Sequence, residues 1–294
     1  PNISPWRRAV CGDLTSVFQP WQGEPVPLPA PVGRTAWLGS LHQAQFKPLP
    51  GTTPLSPDEL KNIRQNARPS PRLPRQEPGV RPSPSLPYEL SVTPALSADG
   101  ASFSLRFAAG RSRFGDRSAG AAFHVYTPPP PGSTGPRQEI RPRAYTAAAG
   151  AEVTGSWRLA DFPDARCRLH VHGPNGFFRA YNTAAADPEI TVSLAENFPA
   201  APRHQLTLTV SGRKLPEQVT LQVQDSANGQ PLQILEFRAS GNGEASASQV
   251  FDCRASHGWC DLRLTLPDFP GWEQRLAGRL EDGQPGWSDP ALGA

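Results

Sequence analysis

The sequence predicts a mainly β protein: two tandem β-sandwich-like modules preceded by a Pro-rich, largely irregular segment with one short helix. Three observations carry that prediction. The 294 residues include 36 Pro and 26 Gly, about 21% against the roughly 12% of average usage, which disfavours long helices. From about residue 86 onward, short runs alternate apolar and polar side chains between Gly, Pro, Asp and Asn turns, which is the pattern of half-buried strands. Finally, passages in the 143–181 region align with passages 92 to 93 residues later, and a repeat of about 100 residues is the size of a sandwich module.

Taken in order, PNISPWRRAVCGDLTSVF (1–18) carries Trp6, Val10, Leu14, Val17 and Phe18 but is too short to bury them alone, so it calls for a partner domain. Residues 20–94 hold 17 prolines. Proline lacks an amide donor and forces the preceding residue to be extended, so this stretch cannot be a central strand or a sustained helix. The exception is SPDELKNIRQNA (56–67), where Ser56 can cap, Pro57 enters the first turn, and Asp58 and Glu59 face the positive end of the dipole. Leu60 and Ile63 would give it a short apolar stripe. LPYELSVTP (86–94), SFSLRFAAG (102–110) and AAFHVYT (121–127) read as strands. RCRLHVHGPNGFFRAYN (166–182) is the clearest hairpin: Cys167, Leu169 and Val171 point one way, and Gly173-Pro174-Asn175-Gly176 supplies the turn.

The second half repeats this order in ITVSLAENF (190–198), HQLTLTVSG (204–212), QVTLQVQD (218–225), LQILEFRAS (232–240) and SHGWCDLRLTLPD (256–268). RAYTAAAGAEVTGSW (143–157) parallels EFRASGNGEASASQV (236–250), and 166–181 parallels 259–276, so Cys167 falls on Cys260. The resulting division is 1–19, 20–83, 84–183 and 184–294. The chain has no Met and opens on Pro in a run that reads as domain interior, so it is expected to be part of a longer protein.

Charge narrows the function. The net is +3, but by region it is +5 over 1–88, +4 over 89–183 and −6 over 184–294. An acidic final third opposes a phosphate-backbone binder, so nucleic acid is not an expected partner. No run approaches the roughly 18 apolar residues of a membrane span. G-x-S-x-G, P-loop and G-x-G-x-x-G strings are missing, Gly241-Asn242-Gly243 reads as a turn, and the carboxylates are scattered. No residue is therefore assigned a catalytic, cofactor-binding or metal-binding role. His170 and His172 share a strand face but lack the further ligands that zinc requires. Cys253 and Cys260 flank the turn 254–259 and could form a disulfide or stand as two buried thiols. Phe177, Phe178, Trp259 and Trp272, all close to turns, are the candidate lipid or interdomain contacts; adjacent Phe177 and Phe178 must take opposite faces.

Several strings together resemble one family, the bacterial phosphocholine-preferring phospholipases C: NISPWRRAVCGDLTSVF (2–18), RQEPGVRPSPSLPYEL (75–90), AAFHVYT (121–127), VHGPNGFFRAY (171–181), SHGWCDL (256–262) and RLAGRLEDGQPGWSDPALG (275–293). The resemblance implies that 1–19 is the end of a phosphoesterase catalytic domain, 20–83 a linker, and 84–183 and 184–294 two C-terminal modules. It further implies an exported parent, secreted or periplasmic, that releases phosphocholine from phosphatidylcholine or sphingomyelin. The catalytic residues would lie upstream of Pro1, leaving this chain inactive alone, with the catalytic domain as its intramolecular partner and a phospholipid surface as a further one. The alternative is a non-catalytic carbohydrate- or protein-binding adhesion module of sandwich type.

Overall fold

The computed structural model describes residues 54–66, Ser70, Leu73 and 79–293, apart from 131, 133–141, 197–202, 214, 216–217, 226–230 and 239–244. The readings of 1–19, of most of the linker, of Cys11 and of Gly241-Asn242-Gly243 lie outside the described residues. The chain divides into two compact units, Pro1–Glu77 and Pro78–Ala294.

In the first unit, α1 runs from Pro57 to Gln65. Its start follows the expected chemistry: Ser56 Oγ accepts from the Glu59 amide at 3.2 Å, and the Glu59 carboxylate accepts from the Ser56 amide at 2.9 Å. This reciprocal capping box satisfies two amides that the helix itself leaves open. Replacing Ser56 with alanine is expected to cost this helix about 1 kcal/mol, measurable as lost helical circular dichroism near 222 nm (roughly one short helix in a β background).

The second unit is built of strands: β1 (Pro82–Ser83), β2 (Leu90–Leu96), β3 (Ser102–Ala109), β4 (Ala121–Tyr126), β5 (Arg143–Ala147), β6 (Ala151–Arg158), β7 (Arg166–His172) and β8 (Phe178–Ala184). They continue with β9 (Glu189–Glu196), β10 (Gln205–Arg213), β11 (Gln218–Asp225), β12 (Gln233–Arg238), β13 (Ala245–Asp252), β14 (Trp259–Thr265), β15 (Glu273–Arg279) and β16 (Gly286–Trp287). Strands β2 to β8 form one set and β9 to β15 its repeat. In each set the first, second and fifth strands make a three-stranded sheet, ordered β2-β3-β6 and β9-β10-β13. The other four follow the orders β5-β4-β7-β8 and β12-β11-β14-β15. The proposed alignment holds here: β7 starts at Arg166 and β14 at Trp259, 93 residues later, each with its cysteine second.

Alternation packs each pair of sheets. In β3, Phe103, Leu105, Phe107 and Ala109 are buried while Arg106 is exposed. These meet Phe123 and Val125 of β4 and Cys167, Leu169 and Val171 of β7 in the first core. The second core is built the same way, with Leu206, Leu208 and Val210 of β10 against Val219, Leu221 and Val223 of β11 and Leu262 and Leu264 of β14. Side chains from both sheets in one apolar cluster are the signature of a sandwich, and fully burying each one contributes roughly 1.5–3 kcal/mol.

The modules are not beads on a string. β15 pairs antiparallel with β8, Glu273 opposite Asn182 through Ala277 opposite Phe178, so the two four-stranded sheets become one sheet of eight strands. One edge of each four-stranded sheet is thereby consumed, leaving β5 and β12 as the edges of the merged sheet. A second tie joins the beginning and end of this unit: β1 pairs with β16, and around it the Ser288 amide donates to Arg81 O at 2.8 Å and the Arg81 amide to Ser288 Oγ at 3.0 Å.

Candidate functional site

The hairpin turn of the first module is the centre of the junction. Asn175 and Gly176 both adopt positive φ, 52° and 72°, as the turn residues suggested. Gly176 is also required for space, because a Cβ there would lie 2.8 Å from Cζ3 of Trp259. Trp259 is 9% exposed and its indole N–H donates to Trp287 O at 2.9 Å, so it packs one module on the other. Gly176→Ala is expected to destabilise by about 1 kcal/mol or more through strain at positive φ, to be read from urea unfolding followed by tryptophan fluorescence.

The other three candidate aromatics fall in different places. Phe177 turns inward, edge-on to Phe123 at 5.9 Å between ring centroids, against the first core. Phe178 takes the opposite face, among His170 at 5.5 Å, His172 at 4.9 Å and the Arg275 guanidinium at 5.6 Å. Trp272, which precedes β15 as Phe177 precedes β8, is 3% exposed and belongs to the second core.

Between the modules lies a partly enclosed cavity of about 280 Å³, lined among others by Glu89, Arg113, Phe177, Arg179, Arg279 and Glu281. The buried one of its two glutamates is Glu281, 5% exposed, whose carboxylate accepts from Arg279 at 3.3 Å, from the Leu86 amide at 3.4 Å and from the Asn175 amide group. It thus joins three segments: the entry to the first module, its hairpin turn and the end of β15. Burial raises the pKa of Glu281 above the ordinary carboxylate value, outweighing the pull of Arg279. Arg113 donates to Glu281 O at 2.6 Å.

Arg179 was not singled out from sequence, although a signal existed: alternation puts Phe177, Arg179 and Tyr181 on one face of the final strand, and Tyr181 is core. Its guanidinium lies over the Phe177 ring at 4.1 Å. One terminal nitrogen donates to Ala277 O at 2.9 Å and Phe178 O at 2.7 Å. Burial pushes its pKa down, with Tyr181 and Cys260 pulling the other way.

Cys253 and Cys260 are brought together as adjacent buried thiols, unbridged. The hydrogen bond that the protonated Cys260 thiol makes to Cys253, followed by burial, raises the Cys260 pKa well above the ordinary thiol value, and burial raises Cys167 to about 12. Such thiols are poor nucleophiles. Among the described residues there is no group of three or more His, Cys, Asp or Glu side chains that could hold a metal ion.

His170, His172 and His204 are each depressed below the ordinary histidine pKa, chiefly by burial, with His124 adding to His172 and Asp282 opposing at His204. In the pH range between the folded and unfolded values, the unfolded chain binds more protons than the folded one. The stability these groups contribute is complete above the unfolded value, roughly pH 6.5, and is lost as pH falls through the folded values. Thermal midpoints are therefore expected to drop between about pH 7.5 and 5.5, and His170→Gln should flatten that slope.

Comparison with known proteins gives these observations a family. Residues 82–182 match the model for the bacterial phospholipase C C-terminal domain. Over 307 residues the chain is 30% identical to the non-hemolytic phospholipase C of Pseudomonas aeruginosa, covering 100% of this chain and 38% of that protein. The hemolytic phospholipase C of the same organism is 32% identical, covering 99% and 39%, and the non-hemolytic enzyme of Burkholderia pseudomallei is 31% identical, covering 99% and 37%. The chain thus spans under two fifths of these relatives. Among solved structures, trypsin-activated alpha-2-macroglobulin from Escherichia coli aligns with 72% of this chain and 18% of that one, at 10% identity and a TM-score of 0.26, too slight a likeness to carry an argument. These matches agree on one family: residues 82–182 are a bacterial phospholipase C C-terminal domain, and the chain along its length is similar to bacterial phospholipases C.

Proposed function

We propose that this chain is the non-catalytic C-terminal region of an exported phospholipase C that hydrolyses phosphatidylcholine or sphingomyelin to release phosphocholine, and that its two modules support and position the catalytic domain. The observation that carries this reading is full-length similarity to three phospholipases C, each much longer than this chain. The structure adds support for a scaffold. An eight-stranded sheet shared by both modules resists hinge motion, and Trp259 and Trp272 are committed to internal packing.

Two measurements test it. The purified chain is expected to leave p-nitrophenylphosphorylcholine intact under conditions where the parent enzyme turns it over; hydrolysis by the chain alone would refute the assignment of roles. In sedimentation with phosphatidylcholine vesicles the chain is expected to stay in the supernatant, and pelleting would shift the role from support to direct lipid docking. Export to an oxidising compartment also gives the adjacent Cys253 and Cys260 an opportunity to bridge. Intact mass of protein isolated without reductant is expected to be lower by two hydrogens than after reduction, and equal masses would show two free thiols.

A further inference from the structure

We propose that the cavity between the modules is an oxyanion-binding site, with the Arg179 guanidinium as its anchor and a phosphate-sized ligand as its occupant. This inference goes beyond the supporting role proposed above and does not rest on it.

Arg179 is a half-buried cation without a counter-charge among the described residues. Guanidinium groups are not deprotonated in proteins, so burial cannot be relieved by losing the proton. A cation drawn partly out of water is ordinarily matched by a carboxylate, because desolvating a charge alone is unfavourable. The other cavity charges each have a partner, although the buried Arg279 Nε itself lacks an acceptor among the described residues. Arg279 pairs with Glu281 at 3.3 Å, Arg113 donates to Glu281 O, and Glu89 accepts from Ser112 Oγ and from the Arg113 amide at 2.8 Å. Arg179 has two carbonyls and an aromatic face, all engaging one part of the group. Among the described residues no carboxylate reaches it, and its Nε and second terminal nitrogen have no acceptor there.

Those free donors belong to a side chain that lines the cavity. The ring of Phe177 beneath and the carbonyls of Phe178 and Ala277 hold the planar fork in one orientation, so little conformational entropy remains to be lost on binding. A fixed fork with two adjacent donors matches the paired oxygens of a phosphate or carboxylate. Three arginines against two glutamates leave the lining one positive charge in excess. The volume, about 280 Å³, lies just under the usual range for small-molecule pockets, which selects a compact ligand.

The test titrates inorganic phosphate into the full chain against sodium chloride at matched ionic strength, reading thermal midpoint and phosphorus NMR line width. The wild-type chain is expected to show a saturable rise in midpoint and phosphate line broadening. Arg179→Met keeps the aliphatic stem over Phe177 while removing the fork, and is expected to weaken phosphate binding by about tenfold or more. Without phosphate, its midpoint should match or exceed that of wild type, since replacing a half-buried unpaired charge by an apolar side chain spares its partial desolvation. Should Arg179→Met fail to fold, Arg179→Lys retains charge but not the fork, and its binding is expected to fall severalfold. No saturable response in wild type beyond that of chloride, or equal phosphate affinity in the variants, would overturn the proposal.

Discussion

Replacing Phe107 with alanine is expected to lower the stability of the whole second unit by about 3–5 kcal/mol, with both modules melting together. Phe107 is fully buried; its ring lies 5.3 Å from Phe123 and is stacked on Tyr145 at 4.6 Å. Truncation removes transfer free energy and leaves a cavity that a sandwich clamped by two sheets cannot easily collapse. The loss should not stay in the first module, because β8 and β15 share backbone hydrogen bonds across the seam and Trp259 packs over Gly176. Urea unfolding monitored by tryptophan fluorescence and by far-ultraviolet circular dichroism should give coincident transitions for wild type and variant. A biphasic curve, with the second module unfolding at its wild-type midpoint, would show that the shared sheet does not couple the two cores.

Glu281→Ala is the second large effect, also about 3–5 kcal/mol. It strands Arg279, whose side chain has 0% exposure, without its carboxylate, and it releases the Leu86 and Asn175 contacts. Arg279→Met combined with Glu281→Leu should recover much of that loss, since an apolar pair avoids the desolvation of both charges. A double-mutant cycle on the midpoints measures the coupling, and additive losses would show that the two residues act separately. Glu281 also gives a pH signature of opposite sign to the histidines. In the folded protein it retains its proton at pH values where the unfolded chain has released it. Its contribution is full below the ordinary glutamate value and is lost as pH rises through the raised folded value. Glu281→Gln should remove that slope.

Much of the fold was legible because strand faces are a local property. Cys167, Leu169 and Val171, and likewise Leu206, Leu208 and Val210, alternate with polar neighbours, and each set is buried as the period of two requires. The Ser56 cap and the Asn175-Gly176 turn were equally local. By contrast, β5, β6 and β13 were visible only as members of an internal repeat. Their runs RAYTA, AEVTGSW and ASASQV are rich in Ala, Gly and Ser, whose intrinsic strand preference is weak, and pairing with neighbours decides their state. Of the candidate aromatics, sequence established that Phe177 and Phe178 part to opposite faces. It could not establish that Trp272 enters a core, since a residue beside a turn has no periodic context on one side.

The sequence alone therefore determined the mainly β class, the repeat of two modules, the register of many inward faces and the family resemblance, all of which reside in local pattern or in ordered strings. Tertiary structure alone decided that β8 and β15 merge two sheets into one, that Glu281 gathers Leu86, Asn175 and Arg279, and that Arg179 lines a cavity with no carboxylate paired to it among the described residues. The physical reason is distance along the chain. Edge pairing uses backbone groups that every residue carries, and a buried charge is defined by partners a hundred residues away, so neither leaves a mark in the neighbouring sequence.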